Sequence, residues 1–231
     1  MCPTSGSTRR FRIQPFIFIF LIFLGFNVMS PNVYAKQKFG TDLGIGIKGG
    51  LNFNKVVASE WKNKFSTDPH AGFFVYINKY RLGIQAEANW TQTRMTTDSS
   101  FYGLYQQYYQ TAADSFNAGS FRFSTVSIPL LVNIKLSQFL WLQLGPQYSA
   151  SVNMVDKNKL LKSGIDIVKA GNFNAVGGLW VQLGGKAPLL RVNLGLRYIS
   201  GISNMSNLNT ITGSRNDWKN QMIQVHLGIS Y

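Results

Sequence analysis

Cysteine and long apolar runs are both scarce in this sequence of 231 residues. Its one cysteine, Cys2, precedes the longest apolar run, residues 16–26. That run has eleven residues, whereas a helix that spans a membrane needs roughly 20. A lipoprotein carries its cysteine at the cleavage point, so the position of Cys2 argues against lipid attachment. With no second cysteine, a disulfide framework and a thiolate metal site are excluded.

The beginning of the chain predicts export. Arg9, Arg10 and Arg12 precede the apolar run, and small residues ending at Ala35 follow it. This order of basic, apolar and small residues is typical of a secretory signal peptide. We therefore predict a signal peptide over residues 1–35, cleaved after Ala35, and a single mature domain over residues 36–231.

Acidic residues are also few, with 9 against 23 lysines and arginines. The predicted cleavage removes three arginines and no acid, which leaves 20 basic and 9 acidic residues and a formal charge of +11. Such a balance can indicate nucleic acid. For an exported chain it favours the anionic headgroups of outer-membrane lipid and lipopolysaccharide as partners, and not nucleic acid. A solvated basic loop surface is the alternative.

Alternation of apolar and polar residues is the strongest pattern in the rest of the chain. Every second residue from Tyr231 back to Ile223 is apolar or aromatic, and polar residues or glycine lie between them. Alternation of this kind indicates a strand with one apolar face. With that last strand we predict seven others, at residues 42–53, 70–78, 82–94, 121–136, 139–152, 171–183 and 189–201. The strand at 70–78 is apolar on both faces, so its phase stays undetermined.

The connections between these strands alternate in length. Three are short, at 79–81, 137–138 and 184–188, and four are long and polar, at 54–69, 95–120, 153–170 and 202–218. Tight turns on one side and long loops on the other are typical of outer-membrane barrels. A membrane cannot hydrogen-bond an open strand edge, so closure is required. We predict an all-β fold: an eight-stranded antiparallel up-and-down transmembrane β-barrel with short periplasmic turns and long extracellular loops.

The polar phase of the strands predicts what fills the barrel. Counted from the turn side, Lys48, Glu87, Arg197 and His226 lie near one level of the lumen, where Glu87 is the single acid. We expect a polar network there, with Glu87 ion-paired to Lys48 or Arg197; separate solvation of each group is the alternative. Two tryptophans in the polar phase, Trp141 and Trp180, are expected to fill the lumen together.

Aromatic residues near the strand ends predict two girdles at the membrane interfaces. On the turn side we expect Phe39, Tyr80, Phe139 and Tyr231. On the loop side we expect Phe53, Trp90, Phe121, Phe123, Phe173 and Tyr198. The high β-propensity of aromatic residues is the alternative explanation.

The sequence offers little for catalysis or for a metal. The predicted mature chain has only His70 and His226 as histidines. His70 lies near Asp68, as in a hydrolase, but no matched serine is evident. Asp98 and Asp114 in the second long loop are sixteen positions apart and indicate solvated loop more than a calcium site. We predict no enzyme activity, no catalytic residue, no metal and no cofactor.

Several short motifs resemble the PorT-like outer-membrane β-barrel proteins of Bacteroidetes. They cover nearly all of the predicted mature chain, at 46–53 (GIKGGLNF), 82–87 (LGIQAE), 127–131 (SIPLL), 144–148 (LGPQY), 176–178 (VGG) and 194–198 (LGLRY). The resemblance implies an outer-membrane barrel, and the named founder implies an association with secretion machinery. It implies no catalytic residue.

We interpret the chain as an integral outer-membrane scaffold whose long loops bind protein partners outside the cell. The alternatives are an accessory of a secretion or envelope-assembly complex, a small pore, a barrel-embedded envelope enzyme, and a secreted soluble barrel with its apolar face inside. Tyr231 ends the last strand as barrel-insertion signals do, so we expect the barrel-assembly machinery to be a partner during insertion.

Overall fold

The computed structural model of the protein describes residues 41–58, 62, 64–97, 120–156, 168–183, 190–207 and 217–231. The predicted signal peptide, its cleavage after Ala35, Phe39, the turn at 184–188 and the acids Asp98 and Asp114 lie outside these residues. No helix among the described residues is long and apolar enough to cross a membrane.

Eight antiparallel strands form one closed barrel in which each strand pairs with its neighbours in sequence and β8 pairs with β1. The strands are β1 Thr41–Val57, β2 Ser66–Lys79, β3 Leu82–Thr96, β4 Ser120–Lys135, β5 Leu140–Asp156, β6 Gly171–Leu183, β7 Arg191–Gly201 and β8 Lys219–Ser230. The predicted fold class is therefore confirmed.

The apolar phase of each strand lies on the outside of the barrel. Leu43, Ile45 and Ile47 on β1 are 58–69% exposed, whereas Lys48, which follows them on the opposite phase, is 5% exposed. Exposure of such large apolar side chains to water is unfavourable at about 25 cal/mol per Å², so this outer band is suited to lipid. Even β7, with 11 residues, rises about 28 Å at a tilt of about 40°, more than an apolar band of about 25 Å.

The phase of β2, undetermined from the sequence, is fixed by its pairing with β1 and β3. Phe74 and Tyr76 point into the barrel and are 3% and 1% exposed, whereas Phe73 is 67% exposed. Two large aromatic side chains thus occupy the lumen on a strand whose residue pattern does not distinguish its two faces.

The described turns are tight, as predicted. β2 and β3 are joined by Tyr80 and Arg81 alone, and Tyr80 has a φ of 57°. A left-handed residue is what a two-residue hairpin turn needs. Between β4 and β5, the backbone nitrogens of Leu136 and Ser137 both donate to the Leu140 oxygen.

The first long connection is shorter than predicted, because β1 runs on to Val57 and β2 begins at Ser66 instead of residue 70. Apart from Val56, Val57 and Pro69 the extra residues are polar, so they carry no sustained apolar alternation from which strands could be predicted. Hydrogen bonding across the pair sustains the strands here without an apolar face.

Phe121 and Phe123 are not members of the loop-side girdle, which corrects that prediction. They are 1% and 4% exposed and lie inside the barrel, because on β4 the inward positions are the odd-numbered ones. Trp90, Phe173 and Tyr198 are 45–57% exposed on the outside. Opposite the two phenylalanines the pairing of β4 with β5 shifts at Ser124/Thr125, a β-bulge that leaves Val152 unpaired and turns Met154 inward.

Inward-facing glycines make room for large neighbours on adjacent strands. A Cβ atom at Gly178 would lie 2.6 Å from the Arg197 Cγ, and one at Gly195 would lie 2.1 Å from the His226 ring. Both distances are shorter than real Cβ contacts. Glycine is therefore needed at these positions for space in a lumen that eight strands leave just wide enough for side chains.

Candidate functional site

Glu87, on the inner face of β3, lies at the centre of the lumen and accepts five hydrogen bonds. Its Oε1 accepts from Gln85 Nε2 at 2.6 Å and from Arg197 Nη2 at 2.7 Å. Its Oε2 accepts from Lys48 Nζ at 2.6 Å, Arg197 Nη1 at 2.8 Å and Asn89 Nδ2 at 3.0 Å. The carboxylate is thus held by two cations, one of them bidentate, which is the strongest form of ion pair.

The strand periodicity explains this convergence. Gln85, Glu87 and Asn89 are two residues apart on one strand, so their side chains point to the same face. Lys48 comes from β1 and Arg197 from β7, across the lumen. The side chains of all three charged residues are 0–1% exposed. A buried carboxylate is tolerated when its lone pairs are satisfied in this way.

The sequence predicted a partner for Glu87 in either Lys48 or Arg197, and the structure brings both to it. His226, the fourth residue of the predicted network, forms no hydrogen bond to this carboxylate in the described part of the chain. The cluster of Lys48, Glu87 and Arg197 has a formal charge of +1, so it is not fully neutralised by its own members.

Amide side chains extend the cluster across the barrel. Gln143 Oε1 accepts from Arg197 Nε at 3.0 Å and Nη2 at 2.6 Å. Its Nε2 donates to Gln85 Oε1 and Asn133 Oδ1, both at 3.0 Å. Asn133 Nδ2 donates onward to Asn78 Oδ1 and Gln85 Oε1, both at 3.2 Å. We call these residues together with the charged cluster and Asn89 the central network; it joins six strands.

Four aromatic side chains form a layer inside the lumen, which on β5 and β6 lies on the turn side of Gln143. Trp141 and Trp180 face each other with ring centroids 6.4 Å apart, the neighbours that the sequence pattern predicted. Phe74 and Tyr76 of β2 complete the layer, at 6.5 Å and 5.3 Å from the Trp180 ring. All four are at most 4% exposed. Aromatic pairs at these separations attract each other beyond their burial alone.

An ion pair lies beyond the aromatic layer, toward the turn-side end. Arg191 Nη1 donates to both carboxylate oxygens of Asp42 at 2.6–2.7 Å and to Tyr76 Oη at 3.1 Å. Gln182 Nε2 also donates to Tyr76 Oη, at 2.9 Å. The side chains of Arg191 and Asp42 are about a third exposed, so water screens this pair more than the central one.

His70 and His226 form a separate pair on the loop side of the central network. Their rings meet edge to face with centroids 6.0 Å apart, and each residue is 3% exposed. Both ring nitrogens of His70 and Nδ1 of His226 have no hydrogen-bond partner among the described residues. His70 therefore lies within the lumen. A hydrolase site formed with Asp68 would need it on the surface.

The carboxylates around these histidines are already engaged. Asp68 accepts from Ser66 Oγ at 2.7 Å and from Arg94 N and Nε, both at 2.9 Å. Each oxygen of Glu87 is likewise occupied by at least two donors. No group of three or more His, Cys, Asp or Glu side chains in the described ranges could hold a metal ion. General-base chemistry needs a free acceptor within reach of a substrate, and these carboxylates do not offer one.

The sequence analysis did not predict the amides or two of the four side chains of the aromatic layer. Gln85 and Gln143 lie on the polar phase, and a buried carboxylate and guanidinium need neutral partners for their remaining hydrogen bonds. Phe74 and Tyr76 gave no signal, because β2 is apolar on both faces. The glycines opposite them, Gly46 and Gly44, would have been the one usable indication.

Comparisons with known proteins agree with this architecture. The family described as "Outer membrane protein beta-barrel domain" matches residues 35–207. No curated protein matches the sequence.

One similar solved structure is Ail, the attachment invasion locus protein of Yersinia pestis, in complex with the heparin analogue sucrose octasulfate. It is 10% identical to this chain, and the match covers 82% of this chain and 99% of Ail with a TM-score of 0.41. Neisserial surface protein A is 10% identical over 82% and 97% of the two chains, with a TM-score of 0.44. The translocator domain of the autotransporter NalP from Neisseria meningitidis is 12% identical over 84% and 90%, with a TM-score of 0.33.

Proposed function

From the premise that this chain belongs to the outer membrane protein β-barrel domain family, we propose that it is a non-conducting, non-catalytic anchor that holds binding loops at the cell surface. The single observation that carries this proposal is the filled lumen. Side chains from every strand occupy the interior, and its central charged residues, Lys48, Glu87 and Arg197, are bonded to one another rather than exposed to a passing ion.

The filling of the lumen supports a closed barrel over a pore. An ion crossing the barrel would meet the Arg191–Asp42 pair, the aromatic layer and the central network. Of these, the aromatic layer offers few polar atoms that could replace water around an ion, and loss of hydration is costly in such surroundings. A rigid closed barrel of this kind is a scaffold, and binding residues are commonly carried on loops that a scaffold positions.

The outer surface supports permanent residence in the membrane. Its exposed apolar side chains alternate with the buried polar ones on every strand, and a soluble barrel would face the opposite way. This argues against the secreted soluble barrel that alternation alone left open. Contact with lipid and lipopolysaccharide headgroups at the rims follows from the basic composition and is part of the proposal.

Insertion is proposed to depend on Tyr231, which follows β8. The backbone nitrogen of Tyr231 donates to the Ile45 oxygen at 2.9 Å, and the Ile45 nitrogen donates back to the Tyr231 oxygen at 3.0 Å. Tyr231 thus closes the barrel seam, and its side chain is 69% exposed on the outside. Both features suit a signal at the end of β8 that the barrel-assembly machinery recognises before closure.

Orientation and location can be tested together by labelling. In a chain without Cys2, a cysteine at Lys169 on the loop side and one at Gln138 in the β4–β5 turn are both at exposed positions. An impermeant maleimide on intact cells should label the first and leave the second unlabelled until the outer membrane is permeabilised. Labelling only at Gln138 on intact cells would reverse the orientation, and recovery of either protein in the soluble fraction would contradict membrane residence.

A role in a secretion or envelope-assembly complex is the second candidate. It is favoured by the motifs at 46–53 and 194–198, which resemble PorT-like barrels. Crosslinking of intact cells, followed by purification of the tagged barrel, should then recover the same large envelope proteins in every preparation. Recovery of lipid and assembly factors alone would leave the simple anchor as the function.

A further inference from the structure

We propose that the loop-side end of β1, β2 and β3 carries a binding pocket for a saccharide that bears phosphate or sulfate groups. This inference names a ligand class for the loop-side binding proposed above and rests on that function. The pocket is a cavity of about 520 Å³, within the range of about 300–1,000 Å³ that small-molecule sites occupy.

Four cations line the cavity: Lys55, Lys62, Lys64 and Arg94. One of them is neutralised, because buried Asp68 accepts from Arg94 Nε at 2.9 Å. None of the three lysines lies within ion-pair distance of a carboxylate in the part of the chain that the structure describes. The described lining therefore has three uncompensated positive charges, which is an attractive field for an anion.

A contact with an aromatic ring and backbone hydrogen bonds hold these lysines in place. Lys55 belongs to β1, and its Nζ lies 5.1 Å from the centroid of the Phe65 ring. The backbone nitrogen of Lys62 donates to the Thr96 oxygen at 3.1 Å, and that of Lys64 donates to the Lys62 oxygen at 2.7 Å. The connection between β1 and β2 is thus tied to the end of β3, which spreads the three charges around one cavity.

The lining also has an apolar part. Phe65 is 47% exposed, and Met95 and Val56 line the cavity beside it. An inorganic ion would leave this surface without a partner, whereas the carbon face of a sugar ring would cover it. Lysine binds phosphate as a point charge without demanding a planar ligand, so three lysines in a cavity that also presents an aromatic ring fit an anionic saccharide better than a planar carboxylate.

The test uses the purified, folded full-length barrel and two probes. The free probe is glucose 1,6-bisphosphate, with glucose as its uncharged control. The membrane probe is lipid A with both phosphates, placed in nanodiscs with the barrel and compared with discs that contain phosphatidylcholine only. The two probes separate a soluble phosphorylated sugar from a lipid headgroup as the source of the phosphate.

The pocket variant Lys62→Gln/Lys64→Gln should bind whichever of the two probes the wild type binds roughly tenfold more weakly. Each surface charge contributes up to about a factor of five to the affinity. The control Lys79→Gln/Lys169→Gln removes the same total charge at exposed positions outside the pocket and should bind as the wild type does. Binding should also weaken as ionic strength rises, because these charges are accessible to salt.

Two results would overturn the proposal: unchanged binding by the pocket variant for both probes, or equal losses in the pocket and control variants, which would mean attraction by net charge alone. Failure of the barrel to label in the expected orientation is a separate outcome, because binding is measured on purified protein. The heat-modifiable gel shift of each variant checks that it has folded.

Discussion

Replacement of Glu87 by glutamine is the sharpest perturbation of the central network. Glu87→Gln keeps the size and shape of the side chain but removes the charge that compensates Lys48 and Arg197. Two cations with side chains about 1% exposed would then face each other without a counter-charge, and two donors would meet the new amide nitrogen. Breaking a buried ion pair on one side costs about 3–5 kcal/mol.

The magnitude can be converted into a measurable shift. For a denaturant slope of about 2–3 kcal/mol per M, the urea midpoint of the barrel folded in lipid vesicles should fall by about 1–2.5 M. The double variant Lys48→Met/Glu87→Gln leaves Arg197 as the one buried cation and restores the formal charge of the cluster. It should regain part of the lost stability, which a simple loss of packing would not do.

A matched control separates the cost of breaking a buried ion pair from the cost of breaking a partly exposed one. Asp42→Asn breaks the Arg191–Asp42 pair, whose side chains are 33–35% exposed, and should cost less than about 1 kcal/mol because water screens the remaining charge. A Glu87→Gln midpoint within error of the Asp42→Asn midpoint would refute the reasoning, since it would mean that the central carboxylate is solvated in the folded barrel.

Three further predictions follow from particular contacts. Gly178→Val should lower the urea midpoint strongly, because its Cβ would lie 2.6 Å from Arg197 Cγ. The control Gly177→Val should fold as the wild type does, because the nearest atom to its Cβ would be Leu144 Cδ2 at 3.5 Å. Equal midpoints for the two variants would contradict the account of the lumen. Trp180→Ala should cost about 3–5 kcal/mol as a large-to-small core change, measured in the same unfolding assay, and an unchanged midpoint would mean that the aromatic layer is loosely packed. Deletion of Tyr231 should lower the amount of heat-modifiable barrel in outer-membrane fractions, and unchanged levels would remove its role in insertion.

The architecture could be predicted from the sequence because a membrane barrel repeats one simple rule. Each strand must present apolar residues to lipid and polar residues to the lumen, so the alternation predicts strand number, phase and turn side together. The rule fails where lipid does not impose it. The loop-side extensions of β1 and β2 are mostly polar and were not predicted, and Phe121 and Phe123 were assigned to the girdle although their positions on β4 point inward.

The interior was less predictable than the wall, because its geometry depends on contacts across strands that are distant in sequence. Alternation places Glu87 and Arg197 in the lumen, but their hydrogen bonds span 110 positions along the chain, and neither residue has a local signature of the other. The amides Gln85 and Gln143 are still harder to assign, since a neutral polar residue carries no charge pattern. Among these interior positions, only the inward-facing glycines indicate where a large side chain on the adjacent strand needs space.

Electrical recording of the purified barrel in planar bilayers tests the central claim most directly, because a filled lumen and an open pore differ in one measurable property. The wild-type barrel, inserted with its heat-modifiable shift intact, should show no sustained current in about 1 M salt, where screening over about 3 Å removes electrostatic exclusion as a cause of silence. Steady single-channel currents from the wild-type protein would contradict a barrel closed by its own side chains.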